Sequence, residues 1–310
     1  MNLEKMVSKT SNKQNIDGLL LVNKRINLTS NAVLQQVKRL FHAMKAGHTG
    51  SLDPLATGML PICFGEATKC CQFLLDADKC YEVTALLGVK TNTGDAMGEE
   101  IARAEHPFTF SDEAIQAVLT QFIGKISQVP SMFSALKHQG KPLYRYARAG
   151  IDIPRPAREI HIRELLFNQW DGQSLSLTVT CSKGTYIRNL MEDIGDALGV
   201  GAHVTRLHRC YTAGFSEDEM YSMDELESMG SDELLSALLP VDRAVSDLPK
   251  LLLNEAEAGD LRHGKTLSHL SNGERAECVR LYDENQHFMG IGEWTSTSLL
   301  KVKRLLRSRS

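Results

Sequence analysis

"GHTGSLDPLATGMLP", residues 47–61, is the stretch on which the reading of this chain turns. It sets a single carboxylate, Asp53, among glycines 47, 50 and 58 and prolines 54 and 61. An Asp-Pro pair is a good helix start, with Asp as N-cap and Pro54 at the first helical position. Gly58 and Pro61 follow too soon for a long helix. Glycines on both sides suit a backbone that something must approach closely. Loops of this kind, held by a scaffold, often carry function. Asp53 is therefore a candidate functional carboxylate. His48 beside it is either a turn histidine bonded to its own loop or a site residue.

The chain has 310 residues, room for two domains. Its 42% hydrophobic content is enough to bury a sizeable core. The net charge of −3 does not announce a polyanionic partner, so a nucleic-acid role must rest on local basic patches. Seven cysteines, with no C-x-x-C pair, speak against a zinc site or a secreted disulfide framework and for reduced thiols in the cytoplasm. The opening residues are polar and have no apolar run, so residues 1–16 are expected as a flexible tail rather than a secretory signal. No run reaches the length of a membrane span.

Gly18–Val22 is a short apolar run that reads as a strand. Thr29 and Ser30 can cap a helix with Val33, Leu34, Val37, Leu40, Phe41 and Met44 on one face. Tyr81–Leu87 has strand content, and Ser111 precedes a helix with acids in its first turn. "SLSLTVTC", 174–181, alternates as a half-buried antiparallel strand does. Ile187, Leu190, Met191, Ile194 and Leu198 then form a helical stripe that Gly199 ends. Tyr186 and Arg188 fall at the strand-to-helix junction. A cation there opposes the helix dipole unless it has an anionic partner, either a carboxylate or a phosphate. Between 137 and 158 stand Lys137, Lys141, Arg145, Arg148, Arg155 and Arg158 against Asp152 alone, with Tyr144 and Tyr146 interleaved. After Pro240 the texture becomes that of a small β-rich unit ending in the basic "KVKRLLRSRS". Strands outnumber helices without regular alternation, so the fold class is α+β with a mixed, largely antiparallel sheet.

The P-loop, dinucleotide, H-E-x-x-H and G-x-S-x-G signatures are all missing, which removes the usual marks of nucleotide, zinc and serine chemistry.

The motifs resemble those of the TruB-type tRNA pseudouridine synthases. "GHTGSLDPLATGMLP" is similar to that family's catalytic loop, and "KCYEV" (79–83) to its strand bearing an active-site tyrosine. "SALKHQGKPLYRYARAG" (134–150) resembles its RNA-gripping insertion. "CSKGTYIRNL" (181–190) and "GAHVTRLHRCYTAGF" (201–215) resemble the motifs that follow. The resemblance covers about residues 17–245; from about 250 it is to a PUA domain. Two stretches depart from the pattern. Lys24-Arg-Ile-Asn-Leu-Thr-Ser30 stands where K-P-x-G-x-[ST]-S is usual, with Asn27 able to take a positive φ. Ser131 and Phe133 stand where Pro and Tyr are frequent.

The resemblance implies a catalytic domain at 17–248, with residues 124–158 as the insertion, and a PUA-like domain at 249–310. It implies isomerisation of uridine 55 in the tRNA T-arm, with no redox cofactor or metal, by a cytoplasmic monomer that needs no protein partner. Asp53 would act at the anomeric carbon, as carboxylates do in glycoside hydrolysis, or remove a ribose proton to give a glycal. Arg188 would pair with Asp53 and keep it ionised. Tyr81 would stack on the flipped uracil, Tyr186 would line the pocket, and His48 would sit near the place the base vacates. Lys24 and Lys183 would meet phosphates, while Lys137, Arg148 and their neighbours clasp the RNA arm. The alternatives are a non-catalytic tRNA-folding chaperone, which has no use for Asp53, and a hydrolase. A hydrolase would want a second acid, for which Glu66 and Asp95 are the nearest candidates. A third is a structural turn, which explains neither Arg188 nor the aromatic-basic segment.

Overall fold

The computed structural model describes residues 13–105, 107–268, 277–295 and 299–307. In chain order its strands and α-helices are β1 (Gly18–Lys24), α1 (Ser30–Leu40), β2 (Ala46–His48), β3 (Thr57–Phe64), α2 (Cys71–Asp76), β4 (Lys79–Leu87), β5 (Val89–Thr91) and β6 (Glu100–Arg103). Next come α3 (Asp112–Leu119), β7 (Gly124–Gln128), β8 (Lys137–His138), β9 (Lys141–Pro142), α4 (Leu143–Ala147), β10 (Arg158–Trp170), β11 (Ser174–Cys181), α5 (Ile187–Ala197) and β12 (Ala202–Thr212). The chain continues through α6 (Met223–Ser228), α7 (Ser231–Ser236), β13 (Lys250–Leu252), α8 (Glu255–Arg262), β14 (Cys278–Tyr282), β15 (Phe288–Trp294) and β16 (Leu300–Leu305).

The main sheet runs β1-β3-β12-β4-β11-β10-β7, with β2 also on β3. Its pairings are antiparallel except β12 with β3, which is parallel and confined to His208↔Thr57 and Arg209↔Gly58. The α+β expectation holds. A second, four-stranded sheet, β13-β14-β15-β16, forms the C-terminal unit.

Strand period divides the core. Leu20, Val22, Leu60, Ile62 and Phe64 face one side with α1 and α5, while Leu19, Leu21, Met59 and Cys63 face the other. Both faces of β1 and β3 are covered, which is why Gly18–Val22 reads as a continuous apolar run. Cys278 and Ile291 of the second sheet join the far-side cluster, so the C-terminal unit packs there. β11 alternates as expected, with Leu175, Leu177, Val179 and Cys181 buried.

Several expectations need correction. Met44 is 52% exposed and leaves the α1 stripe, because the chain turns after the helix with His42 at φ 47°. The end of the expected tail is tied down: the exposed Gln14 exchanges backbone hydrogen bonds with His42 and Met44 at 2.7 and 3.0 Å, and Ile16 is buried. Residues 1–12 lie outside the described residues. Residues 124–128 are not part of the insertion; they form β7, the edge strand paired with β10. The basic C-terminal stretch is largely a strand. Lys301 and Lys303 pair with Glu293 at 3.1 and 2.8 Å, and Arg307 N donates to Glu66 at 2.7 Å. Arg309 lies outside the described residues. Among the described residues no helix is long and apolar enough to cross a membrane.

Candidate active site

The 49–56 loop joins β2 to β3 where β3 leaves β2 and meets β12. It is not a helix, so Asp53 is not a helix cap. The backbone is held from several sides. Ser30 Oγ accepts from Leu52 N at 2.8 Å and donates to Leu52 O at 3.1 Å, leaving Thr29 to cap α1. Asn27, at φ 67°, donates its backbone N–H to Pro54 O at 2.7 Å. Arg209, 1% exposed, donates from Nε to Met59 O at 2.7 Å and from NH2 to Gly50 O at 2.9 Å.

Two glycines make this fit possible. Gly58 has φ +93°, and a Cβ there would lie 2.3 Å from the Arg209 carbonyl oxygen. Gly50 has φ +71°, and its Cβ would lie 3.1 Å from the Arg209 guanidinium. Only a residue without a side chain lets β3 and β12 approach this closely.

Held this way, the loop presents Asp53 at the floor of a cleft of about 410 Å³. Asp53 is the one carboxylate lining the cleft among the described residues. Arg188 Nε lies 2.9 Å from Asp53 Oδ2. The guanidinium is buried; NH1 donates to Thr93 O at 2.8 Å, and NH2 donates to Phe133 O at 3.0 Å. On the far side NH1 lies 3.5 Å from Asp95 Oδ2. The cation at the start of α5 thus has two anionic partners, which offsets its unfavourable place on the helix dipole.

Burial pushes the Asp53 carboxyl above its ordinary value; the charge of Arg188 opposes this, and Asp95 reinforces it. Asp95 itself faces its own loop. It is buried, and Oδ1 accepts from Thr93 Oγ1 at 2.7 Å and Met97 N at 3.0 Å. It does not line the cleft. Glu66 pairs with Lys69 at 2.5 Å, away from the cleft. Neither acid serves as a second catalytic carboxylate of the hydrolase type.

Tyr81 on β4 is 9% exposed, and its ring lines the cleft. Burial raises its phenol, and Arg209, within hydrogen-bonding reach of the hydroxyl, opposes the rise. Tyr186 forms the cleft wall as N-cap of α5. Gln128 grips its backbone in both directions, at 2.8 and 3.0 Å, and the Arg158 guanidinium lies 5.0 Å from its ring centroid. His48 belongs to β2 rather than to a turn. Its buried Nδ1 has no hydrogen-bond partner, and burial lowers its pKa.

Lys183 is exposed and pairs with Asp76 at 2.9 Å. Lys137 and Arg148 stand exposed in the basic 137–158 segment, Arg148 over the Tyr144 ring at 5.5 Å. The insertion also supplies Ser134, Ala135 and Leu136 to the cleft.

Lys24 is a correction. It is fully buried, with Nζ donating to the carbonyls of Arg25 at 2.9 Å, Leu28 at 2.7 Å and Pro54 at 3.4 Å. Burial lowers it to about 8, against the pull of Asp53. An ammonium enclosed this way has no access to a phosphate; it ties the 24–28 turn to the loop behind Asp53. Lys79 behaves alike: it is buried, donates to Leu74 and Leu75 carbonyls, and is lowered to about 8 by burial.

Arg209, Lys79 and Leu207 are the site neighbours to which sequence reasoning gave no role, and Asp95, considered there only as a second acid, is instead a partner of Arg188. Among the described residues the one grouping with metal-ligand character is Glu277, Cys278 and Glu293, in the C-terminal unit, where Lys303 Nζ already occupies Glu293 and Cys278.

Comparison with known proteins points to one family. The family model described as TruB family pseudouridylate synthase, N-terminal domain, matches residues 38–187. That of the tRNA pseudouridylate synthase B C-terminal domain matches 188–246, and that of pseudouridine synthase II TruB, C-terminal, matches 249–306. The tRNA pseudouridine synthase B of Legionella pneumophila subsp. pneumophila is 55% identical over 291 residues, 94% of this chain and 96% of that one. That of Chromobacterium violaceum is 48% identical over 301 residues, 97% and 98% of the two chains. Among solved structures, a chain of a Cbf5-Nop10-Gar1 complex superposes with a TM-score of 0.73 at 23% identity, over 96% of this chain and 87% of that one, a likeness of fold. With relatives this similar along nearly their whole length, the chain belongs to the TruB family of pseudouridylate synthases.

Proposed function

We propose that the chain isomerises uridine 55 of the tRNA T-arm to pseudouridine, with Asp53 as the acting group. The observation that carries this reading is the Asp53–Arg188 pair, with 2.9 Å between Nε and Oδ2, at the floor of a cleft lined by no other carboxylate among the described residues. The relatives named tRNA pseudouridine synthase B supply the substrate.

The reaction breaks the bond from uracil N1 to ribose C1′ and forms one from C5. It is redox-neutral overall. Asp53 either attacks C1′ or removes a ribose proton, and both routes need an ionised, fixed carboxylate. The two-sided hold of Asp53 and Asp95 on Arg188 orients the fork that keeps Asp53 in place. The target nucleotide leaves its stack to reach the cleft. Tyr81 takes one face of the uracil, Tyr186 closes the wall, and His48 sits beside the vacated position. Lys137, Arg148 and Lys183 engage the RNA backbone around the opening. The C-terminal PUA-like unit holds the remainder of the tRNA. The protein works as a monomer in the cytoplasm.

The test is pseudouridine formation on an unmodified T-arm stem-loop, comparing wild type with Asp53→Asn. Conversion by wild type, together with binding but no conversion by the variant, supports the reading. Equal conversion by both overturns the role of Asp53. Binding and refolding of tRNA by both, without conversion by either, identifies a chaperone instead.

A further inference from the structure

All seven cysteines are free, and their surroundings differ. Cys63, Cys70, Cys181 and Cys278 are buried. Cys63 and Cys71 lie within hydrogen-bonding reach of each other, but Cys63 has no exposed surface. Among the described residues, Cys80 and Cys210 alone are in mutual reach with both thiols partly open to solvent.

Their contact comes from an irregularity in the sheet. The β4–β12 register passes from Arg209↔Tyr81 to Tyr211↔Cys80, so Cys210 is the extra residue of a bulge. In such a bulge two residues oppose one, here Cys210 and Tyr211 against Cys80. Cys80 and Cys210 leave the sheet on the face opposite Tyr81 and Arg209, their immediate neighbours in the cleft. Cys210 is not the register partner of Cys80 but lies beside it on the neighbouring strand, and neighbouring strands run about 4.7–4.9 Å apart. That is inside the roughly 4.4–6.8 Å span a disulfide bridges.

We infer that Cys80 and Cys210 are an oxidation site for peroxides, closing to a cross-strand disulfide behind Tyr81 and Arg209 and slowing turnover as it closes. The Cys80 thiolate attacks one peroxide oxygen, breaking the O–O bond and releasing hydroxide (water once protonated), and becomes a sulfenic acid. The Cys210 thiol then displaces that oxygen as water and forms the S–S bond. The two thiols give up two electrons, and the peroxide takes them.

The local chemistry fits these roles. Contact with Cys210 and Thr180 holds the Cys80 thiol below its ordinary value, with burial, Glu164 and Glu82 opposing. The same contact pushes Cys210 up, so Cys80 is the thiol that meets the peroxide first. Closure draws the sulfurs to about 2.05 Å. It thereby displaces the strand segments that place the Tyr81 ring and the Arg209 clamp, and small misplacements of such groups are expensive in rate.

The full-length protein is treated with hydrogen peroxide and its peptides are mapped. The expected product joins the Cys80 and Cys210 peptides and is absent in Cys210→Ser, which keeps the starting activity. Turnover on the T-arm substrate, which rests on the function proposed above, falls about threefold or more and recovers with dithiothreitol. Peptide mapping needs no turnover, so failure of the thiol chemistry and failure of the functional reading are told apart. A bridge between Cys63 and Cys71, or sulfinic acid without a bridge, overturns the site. A Cys80–Cys210 bridge with unchanged turnover overturns its coupling to the cleft.

Discussion

Two sets of cations in this molecule use their charge in opposite ways. In and behind the cleft, Lys24, Lys79, Arg188 and Arg209 are at most 7% exposed and donate mainly to backbone carbonyls. On the insertion, Lys137, Lys141, Arg145 and Arg148 stand in solvent. The first set holds protein to protein and shapes a loop around one carboxylate. The second set is free to meet a polyanion. Residue type does not distinguish them; burial and hydrogen-bond partners do. A buried cation stripped of its carbonyl or carboxylate partners is destabilising by several kcal/mol. An exposed one is worth little until a phosphate arrives.

The comparison is tested most severely at the carboxylate that the buried set surrounds. Asp53→Asn is expected to lower kcat about a thousandfold or more while RNA affinity stays close to wild type; the thermal midpoint should move little, because Arg188 keeps Asp95 and the Thr93 and Phe133 carbonyls as partners. Next comes Arg209→Met, which leaves the Gly50 and Met59 carbonyls without their donor. It should lower kcat about a hundredfold, with KM much less affected and a lower melting temperature. If kcat holds while stability alone falls, Arg209 is a core residue and nothing more. Gly58→Ala forces a methyl group against the Arg209 carbonyl, and a urea titration should show a loss of about 2–4 kcal/mol.

Asp95→Asn tests electrostatics alone. Asp95 raises the Asp53 carboxyl, so removing its charge lowers the Asp53 pKa. Turnover that needs ionised Asp53 is lost as pH falls through that pKa, and the acid limb of kcat/KM should therefore move to lower pH. A shift to higher pH would show that Arg188 has lost its hold. The smallest effects belong to the exposed set. Lys137→Ala and Arg148→Ala should each raise KM a few-fold, leave kcat alone, and reduce the salt slope of RNA binding by about 0.7–0.9.

The contrast also explains what the sequence made legible. Asp53 stood out because glycines and prolines break every regular element around it. Arg188 stood out because a cation at a helix start wants an anion, and it has Asp53 and Asp95. The α+β class followed from strand alternation at 174–181 and the apolar run at 18–22. Lys24 was misread because a lysine after a strand ordinarily points to solvent; only the turn at Asn27 and the loop folding over it enclose the ammonium. The clamp of Arg209 and the pairing of Asp95 with Arg188 were not visible, since the partners come from distant segments and no local spacing encodes them. The bulge at Cys210 likewise exists only in the pairing of two strands.

That distance has a kinetic side. Arg209 holds the carbonyls of Met59, 150 residues before it, and Gly50, 159 residues before it. The parallel contact of β12 with β3 that brings it there is equally non-local. Contacts this far apart in the chain close slowly, because the entropy of joining the ends is lost before the bonds form. During synthesis the loop that carries Asp53 emerges from the ribosome long before its clamp. A nascent chain can build the β1–β3 pair early, but the arrangement around Asp53 must wait for residue 209. Refolding followed by activity should therefore lag behind refolding followed by secondary structure.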